Sequence, residues 1–151
     1  NKPRTYSDYR EMLKERDLDI VLIATPDHWH APGTIMALAG GKHVYVEKPA
    51  THNMRENELI VAAQKKYDRH VQMGVQQRSS SESIEIITEI HQGVIGVPYK
   101  ALAFYTNNRG EVPVQKKVPV RDGLDWELFQ GPAPRRAYTQ ETWDYNWHWY
   151  G

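Results

Sequence analysis

The chain has 151 residues, with 19 basic and 19 acidic side chains and no cysteine. This balance gives no overall field that would attract nucleic acid or an anionic membrane, and no apolar run approaches the ~20 residues of a membrane-spanning helix. We therefore expect neither partner. The absence of cysteine excludes disulfides, thiolate metal ligands and cysteine nucleophiles.

The chain begins with a helix, a strand, a second helix and a second strand. Ser7 or Asp8 can cap the first helix. The apolar run 20–24 is too short for a helix and is typical of a strand buried on both faces of a parallel sheet. Pro32 fits the first position of the next helix, and the β-branched run 42–46 predicts the second strand.

The alternation continues through the next fifty residues. Asn53 followed by Glu56 resembles a capping box at the start of an amphipathic helix, and residues 71–76 predict a third strand. Ser81 can cap another helix, which Gly93 ends. Strands separated by helices imply parallel pairing with right-handed crossovers, so we predict an α/β sheet with helices on both faces.

The pattern changes after Gly96, where we place a domain boundary. Residues 99–106 alternate as in a strand with one covered face, and residues 124–129 can form one helical turn. A doubly wound sheet normally begins with a glycine-rich turn, but no GxGxxG occurs here. We therefore expect a fragment that lacks both ends, the alternative being that partner chains complete each half.

Two ionisable residues follow the second predicted strand, where Pro49 forces the chain into a loop directly after Glu47 and Lys48. The Thr25-Pro26 turn ends a neighbouring strand at the same sheet edge, which is where ligands bind in open α/β sheets. A lysine in a partly dry site there can donate to a substrate oxygen, and a carboxylate can accept from ribose hydroxyls. The alternative is a solvated ion pair.

Other polar and aromatic clusters are less specific. We expect no metal site, because His28 and His30 lack the i,i+4 spacing or carboxylate support of known ligand patterns. Residues 76–78 follow the third strand, either as an ordinary polar loop or as ligand contacts. The aromatic run 143–150 is either core of the second domain or a wall on which a sugar stacks.

Several of these stretches together resemble the Gfo/Idh/MocA oxidoreductases, the glucose-fructose oxidoreductase and inositol dehydrogenase family. They are residues 19–26, 28–30, 41–49 and 131–134. The resemblance implies an α/β fold class, with the back half of a Rossmann-type parallel sheet in residues 1–96. Residues 97–151 would begin an α+β domain with an open, largely antiparallel sheet, which carries the substrate site and forms a homo-oligomer.

The resemblance also implies a site. Lys48 would be the catalytic residue and would touch both NAD or NADP and the substrate. The expected cofactor-binding residues are Ala24, Thr25, Pro26, His30, Glu47, Lys48 and Gln76. The expected substrate-binding residues are Lys48, Arg78, Tyr105 and Trp147. The family's glycine fingerprint and its later Asp/His pair have no counterpart in this sequence.

Three functions follow from these observations. The first is an oxidoreductase that transfers a hydride between a nicotinamide cofactor and a sugar, cyclitol or related polyol. The second keeps the fold but uses tightly bound NAD as a transient oxidant in glycoside cleavage or elimination. The third is a non-catalytic protein that binds a sugar through residues 143–150.

Overall fold

The computed structural model describes residues 2–106 and 114–140. By their contacts, residues 2–74 and 114–140 form one compact unit, and residues 75–106 form another. No helix in the described part of the chain is both long and apolar enough to cross a membrane.

A three-stranded parallel sheet organises the first unit. The strands are β1 (Ile20–Ile23), β2 (His43–Val46) and β3 (Val71–Met73), and they are ordered β1-β2-β3. The crossovers are α2 (His30–Ala39) and α3 (Met54–Tyr67), and a short helix α1 (Tyr9–Met12) precedes the sheet. The predicted alternation of strands and helices is confirmed, although the third strand ends earlier than expected.

Local sequence signals explain where the helices begin and end. Asp8 caps α1 by accepting from the Arg10 N–H at 2.9 Å. Asn53 caps α3 by accepting from the Glu56 N–H at 3.1 Å, and the Glu56 carboxylate accepts from the His52 N–H at 2.6 Å. The predicted capping box is therefore present, with its second bond displaced by one residue, and it satisfies two otherwise unpaired donors.

The hydrophobic core lies on one face of the sheet. Val21 and Ile23 are 5% exposed and pack with residues of both crossover helices, whereas Ile20 and Leu22 are 61% and 67% exposed. The predictions that the first strand is buried on both faces and that helices cover both faces are therefore wrong for the described residues. The reason is topological, since right-handed crossovers between strands added in one direction place both helices on the same side.

The second unit contains a short 3-10 helix, Gln76–Ser79, and α4, Ser81–His91. Ser80 caps α4 by accepting from the Ser83 N–H at 3.2 Å, so the cap lies one residue before the predicted Ser81. Residues 99–106, predicted as a strand, form no strand and are exposed. A strand needs a neighbouring strand to satisfy its backbone groups, and the described residues provide none at this place.

The segment from Val114 returns to the first unit. It contains α5, Trp126–Gln130, which matches the predicted helical turn, and a single antiparallel bridge between Lys117 and Thr139. Asp125 caps α5 by accepting from the Leu128 N–H at 2.8 Å. Residues 131–134, which contribute to the family resemblance, follow directly.

Candidate functional site

The carboxyl ends of β1 and β2 lie side by side. Ile23 pairs with Val46, and the Glu47 N–H donates to the Ile23 carbonyl at 2.9 Å. The chain therefore leaves β1 at Ala24 and β2 at Glu47 from adjacent positions, and the following loops open at the same edge of the sheet. This convergence was predicted from the positions of Pro26 and Pro49 in the sequence.

His30 connects these two loops. Its side chain is 2% exposed; Nδ1 lies 2.6 Å from the Pro49 carbonyl oxygen, and Nε2 lies 2.9 Å from the Thr25 carbonyl oxygen. Because both ring nitrogens face backbone acceptors, the ring is fully engaged with the protein. The side chain predicted to contact the cofactor thus lies beneath the loops, where it holds their main chains together.

Glu47 and Lys48 occupy the loop that His30 holds. The Glu47 side chain is half-buried, and its Oε2 accepts from the Lys48 N–H at 3.2 Å. The Lys48 side chain is exposed, and its ammonium has no hydrogen bond or ion pair among residues 2–106 and 114–140. The described residues therefore do not form the partly dry surroundings expected for Lys48. The Lys48–Pro49 peptide bond is cis.

Gly74 borders the Glu47 carboxylate. A Cβ at this position would lie 3.0 Å from Oε1 and 3.2 Å from Oε2 of Glu47. The Gly74 N–H donates to the Val46 carbonyl at 2.8 Å, so the backbone after β3 is fixed beside the end of β2. The sequence reasoning missed Gly74, although a glycine directly after a strand is a signal of close approach.

These groups fit the nicotinamide and ribose part of a dinucleotide. The lysine supplies a free cation, the carboxylate supplies acceptors for hydroxyl groups, and the missing side chain at Gly74 allows that carboxylate to pack against the backbone after β3. The exposed loop backbone at Ala24 and Thr25 lies at the same sheet edge. No glycine-rich turn for the pyrophosphate occurs in the 151 residues.

A second anchoring point joins the loop after β1 to α5. The Trp29 Nε1–H donates to the Leu128 carbonyl at 2.8 Å, and His28 Nε2 lies 2.6 Å from the Phe129 carbonyl oxygen. The His28 and Phe129 rings also meet edge to face, with centroids 5.9 Å apart. No local sequence signal predicts this contact, because its partners are about a hundred residues apart.

An apolar cavity of about 370 Å³ lies beside β1. Tyr9, Thr25 and Trp29 contribute to its lining, whereas Glu47 and Lys48 do not. Burial raises the pKa of Tyr9 to about 12. The cavity is thus apolar enough to disfavour a phenolate, and it is distinct from the space around the charged loop.

The remaining predicted residues are placed as follows. Gln76 and Arg78 are exposed in the 3-10 helix of the second unit, and Tyr105 is 80% exposed in the same unit. Trp147 and the rest of the aromatic run 143–150 lie outside the described residues. Their contacts with cofactor or substrate stay predictions. The described ranges contain no group of three or more His, Asp or Glu side chains that could hold a metal ion.

A parallel sheet with βαβ crossovers and polar loops at its carboxyl edge defines a dinucleotide-binding α/β domain. Residues 2–75 match the model of an oxidoreductase family described as having an NAD-binding Rossmann fold. These residues therefore match the Gfo/Idh/MocA oxidoreductase family.

Individual relatives agree with this assignment. The alpha-N-acetylgalactosaminidase of Shewanella oneidensis is 32% identical over 99 residues, which cover 63% of this chain and 22% of that protein. The aldose-aldose oxidoreductase of Caulobacter crescentus is 34% identical, with a TM-score of 0.53, over 58% of this chain and 26% of that one. The myo-inositol 2-dehydrogenase of Lactobacillus plantarum is 25% identical, with a TM-score of 0.56, over 60% and 27% respectively. The chain therefore spans about a quarter of the length of these proteins.

Proposed function

We propose that the full-length protein is an NAD(P)-dependent oxidoreductase that acts on a sugar, cyclitol or related polyol. The observation that carries the proposal is the placement of Lys48. Its ammonium has no protein partner among the described residues and follows a strand end that pairs directly with the end of β1. A free cation at this edge is positioned for a ligand, because the carboxyl ends of parallel strands are where α/β folds bind them.

The bound cofactor, Lys48 and Glu47 have separate roles in the proposed reaction. A bound nicotinamide supplies hydride transfer to or from the substrate carbon. When the substrate is a carbonyl, the Lys48 ammonium transfers a proton to its oxygen as hydride reaches the carbon. Oxidation of the alcohol runs the same transfer backwards, and the hydroxyl proton passes to the Lys48 amine. The Glu47 carboxylate accepts from ribose hydroxyls, and the absence of a side chain at Gly74 lets the carboxylate keep its position.

The substrate class is supported by the named relatives. Two solved structures that resemble this chain are an aldose-aldose oxidoreductase and a myo-inositol 2-dehydrogenase, so their names refer to polyhydroxylated substrates. A substrate of this kind offers a secondary alcohol whose oxygen can accept from Lys48.

A second function is favoured by several relatives that are named as glycosyl hydrolases. The similarity to an alpha-N-acetylgalactosaminidase supports a glycosidase or lyase in which tightly bound NAD oxidises the substrate transiently and is then regenerated. Spectroscopy during turnover separates the two functions. Reduced nicotinamide accumulates in stoichiometric amounts with product in the dehydrogenase, whereas it stays below one equivalent per protein in the glycosidase.

The proposal also assigns a role to the residues after Gly96. We place the start of the substrate domain at Val97 and assign the homo-oligomer interface to that domain's sheet. Limited proteolysis should then cut the full-length protein near Gly96, and sedimentation should show that a fragment ending there has lost the oligomeric state. An oligomer that survives this truncation contradicts the assignment.

Substitution of Lys48 tests the catalytic role. Lys48→Ala in the full-length protein should lower kcat by about 10²-fold or more, the range expected for loss of a positioned acid. The dissociation constant for reduced nicotinamide, measured by fluorescence quenching, should stay within about twofold because the cofactor keeps its other contacts. Lys65→Ala is the matched control, since Lys65 is an exposed lysine in the last turn of α3. Unchanged turnover in Lys48→Ala rules out the role.

A further inference from the structure

Both ring nitrogens of the buried His30 face backbone carbonyl oxygens. It lies at the start of α2, is 2% exposed, and has carbonyl oxygens at 2.6 Å and 2.9 Å from its two nitrogens. A neutral imidazole has one N–H and donates to one of these oxygens, whereas an imidazolium donates to both. In either form the ring is the shared partner of the Thr25 and Pro49 carbonyls.

The two carbonyls belong to the two loops of the proposed site. Pro49 directly follows Lys48. Thr25 lies two positions after Ile23, the last residue of β1. The sheet fixes the strands only as far as the Glu47 N–H, which bonds to the Ile23 carbonyl. Beyond that point, the His30 ring contacts both loop backbones and so joins them to each other.

We infer that His30 is a positioning residue that sets the placement of Lys48 relative to the nicotinamide-binding loop, without touching cofactor or substrate itself. This inference rests on the proposed function. Its physical basis is that proton transfer and hydrogen bonding to a reacting oxygen require the donor to be held closely. A displacement of about 1 Å can lower the rate by about 10²-fold.

Three substitutions of His30 separate the contributions of its two ring nitrogens. His30→Ala removes both contacts. His30→Asn places an amide nitrogen near the position of Nδ1 and keeps a donor for Pro49, whereas His30→Gln places it near Nε2 and keeps a donor for Thr25. The matched control is His43→Ala, which removes another imidazole contact to backbone, the 3.0 Å bond from the His70 N–H, at the opposite end of β2.

The experiment uses the full-length protein and two measurements. The first is hydrogen exchange of residues 47–52 without cofactor, which should accelerate roughly tenfold in His30→Ala, the effect of about one lost hydrogen bond. It should accelerate less in His30→Asn than in His30→Gln. The second is steady-state kinetics, in which His30→Ala should lower kcat by about 10²-fold. His43→Ala should leave both measurements at the wild-type level while lowering the unfolding midpoint.

The outcomes are distinguishable. Exchange at residues 47–52 that is equal in His30→Ala and wild type overturns the inference, as does a kcat no lower in His30→Ala than in His43→Ala. A wild-type protein that neither binds reduced nicotinamide nor turns over polyols refutes the proposed function instead. If His30→Ala does not fold, the order of His30→Asn and His30→Gln in both measurements decides, and equal behaviour of the two overturns the inference.

Discussion

The contact between Gly131 and Trp29 allows a quantitative test of how α5 is held. Gly131 ends α5 with φ +57°, and a Cβ there would lie 2.9 Å from both Cε2 and Nε1 of Trp29. Gly131→Ala therefore combines two costs. A residue with a side chain in this backbone conformation destabilises the fold by about 1–3 kcal/mol. The collision with the indole adds about 1–3 kcal/mol, as for other overpacked sites.

Gly123→Ala is the matched control, because Gly123 has φ +77° but nothing within 4 Å of its Cβ position. Urea unfolding of the full-length variants should show Gly131→Ala less stable than Gly123→Ala by about 1–3 kcal/mol, the collision alone. The difference should disappear in a Trp29→Leu background, where the indole is absent. Equal stability of the two glycine variants in the wild-type background would refute the reasoning.

Three further predictions concern single side chains. Gly74→Ala should displace the Glu47 carboxylate, 3.0 Å from the added Cβ, and weaken nicotinamide binding severalfold in fluorescence titrations; unchanged affinity contradicts it. Lys42→Met should cost about 1–3 kcal/mol in urea unfolding, because the Glu15 carbonyl loses its 2.6 Å donor, and a stability equal to wild type would show that water replaces the amine. Tyr9 has its pKa raised from 10.0 to about 12, so its contribution to stability is complete below pH 10 and is lost as pH rises towards 12. Tyr9→Phe should reduce this alkaline loss in unfolding measurements, and an identical pH dependence in both proteins would exclude the effect.

The order of strands and helices along the chain could be predicted from the sequence. The apolar run before Thr25-Pro26 and the β-branched run before Glu47 predicted β1 and β2, because short runs between turn residues have few other stable conformations. Asn53 and Glu56 predicted the start of α3, since a cap acts through backbone groups only three residues away. The convergence of the two loops followed from parallel pairing alone.

The orientation of side chains was less predictable. The sequence predicted Ile20 and Leu22 to be core residues. The prediction was wrong because hydrophobicity does not tell which face of a strand the crossover helices cover. Residues 99–106 were predicted to form a strand from their alternating pattern. Such a pattern shows only that the sequence is compatible with a strand. A partner strand, which the described residues do not provide, decides whether the strand forms.

By itself, the sequence determined the parallel α/β order, the position of Lys48 at a strand end and the family that residues 2–75 match. Only the tertiary structure decided that His30 faces two carbonyls and that Trp29 contacts Leu128 and Gly131. The physical reason is distance along the chain. Caps and strand ends depend on neighbouring residues, whereas these contacts join segments that meet only after the sheet and its helices have packed.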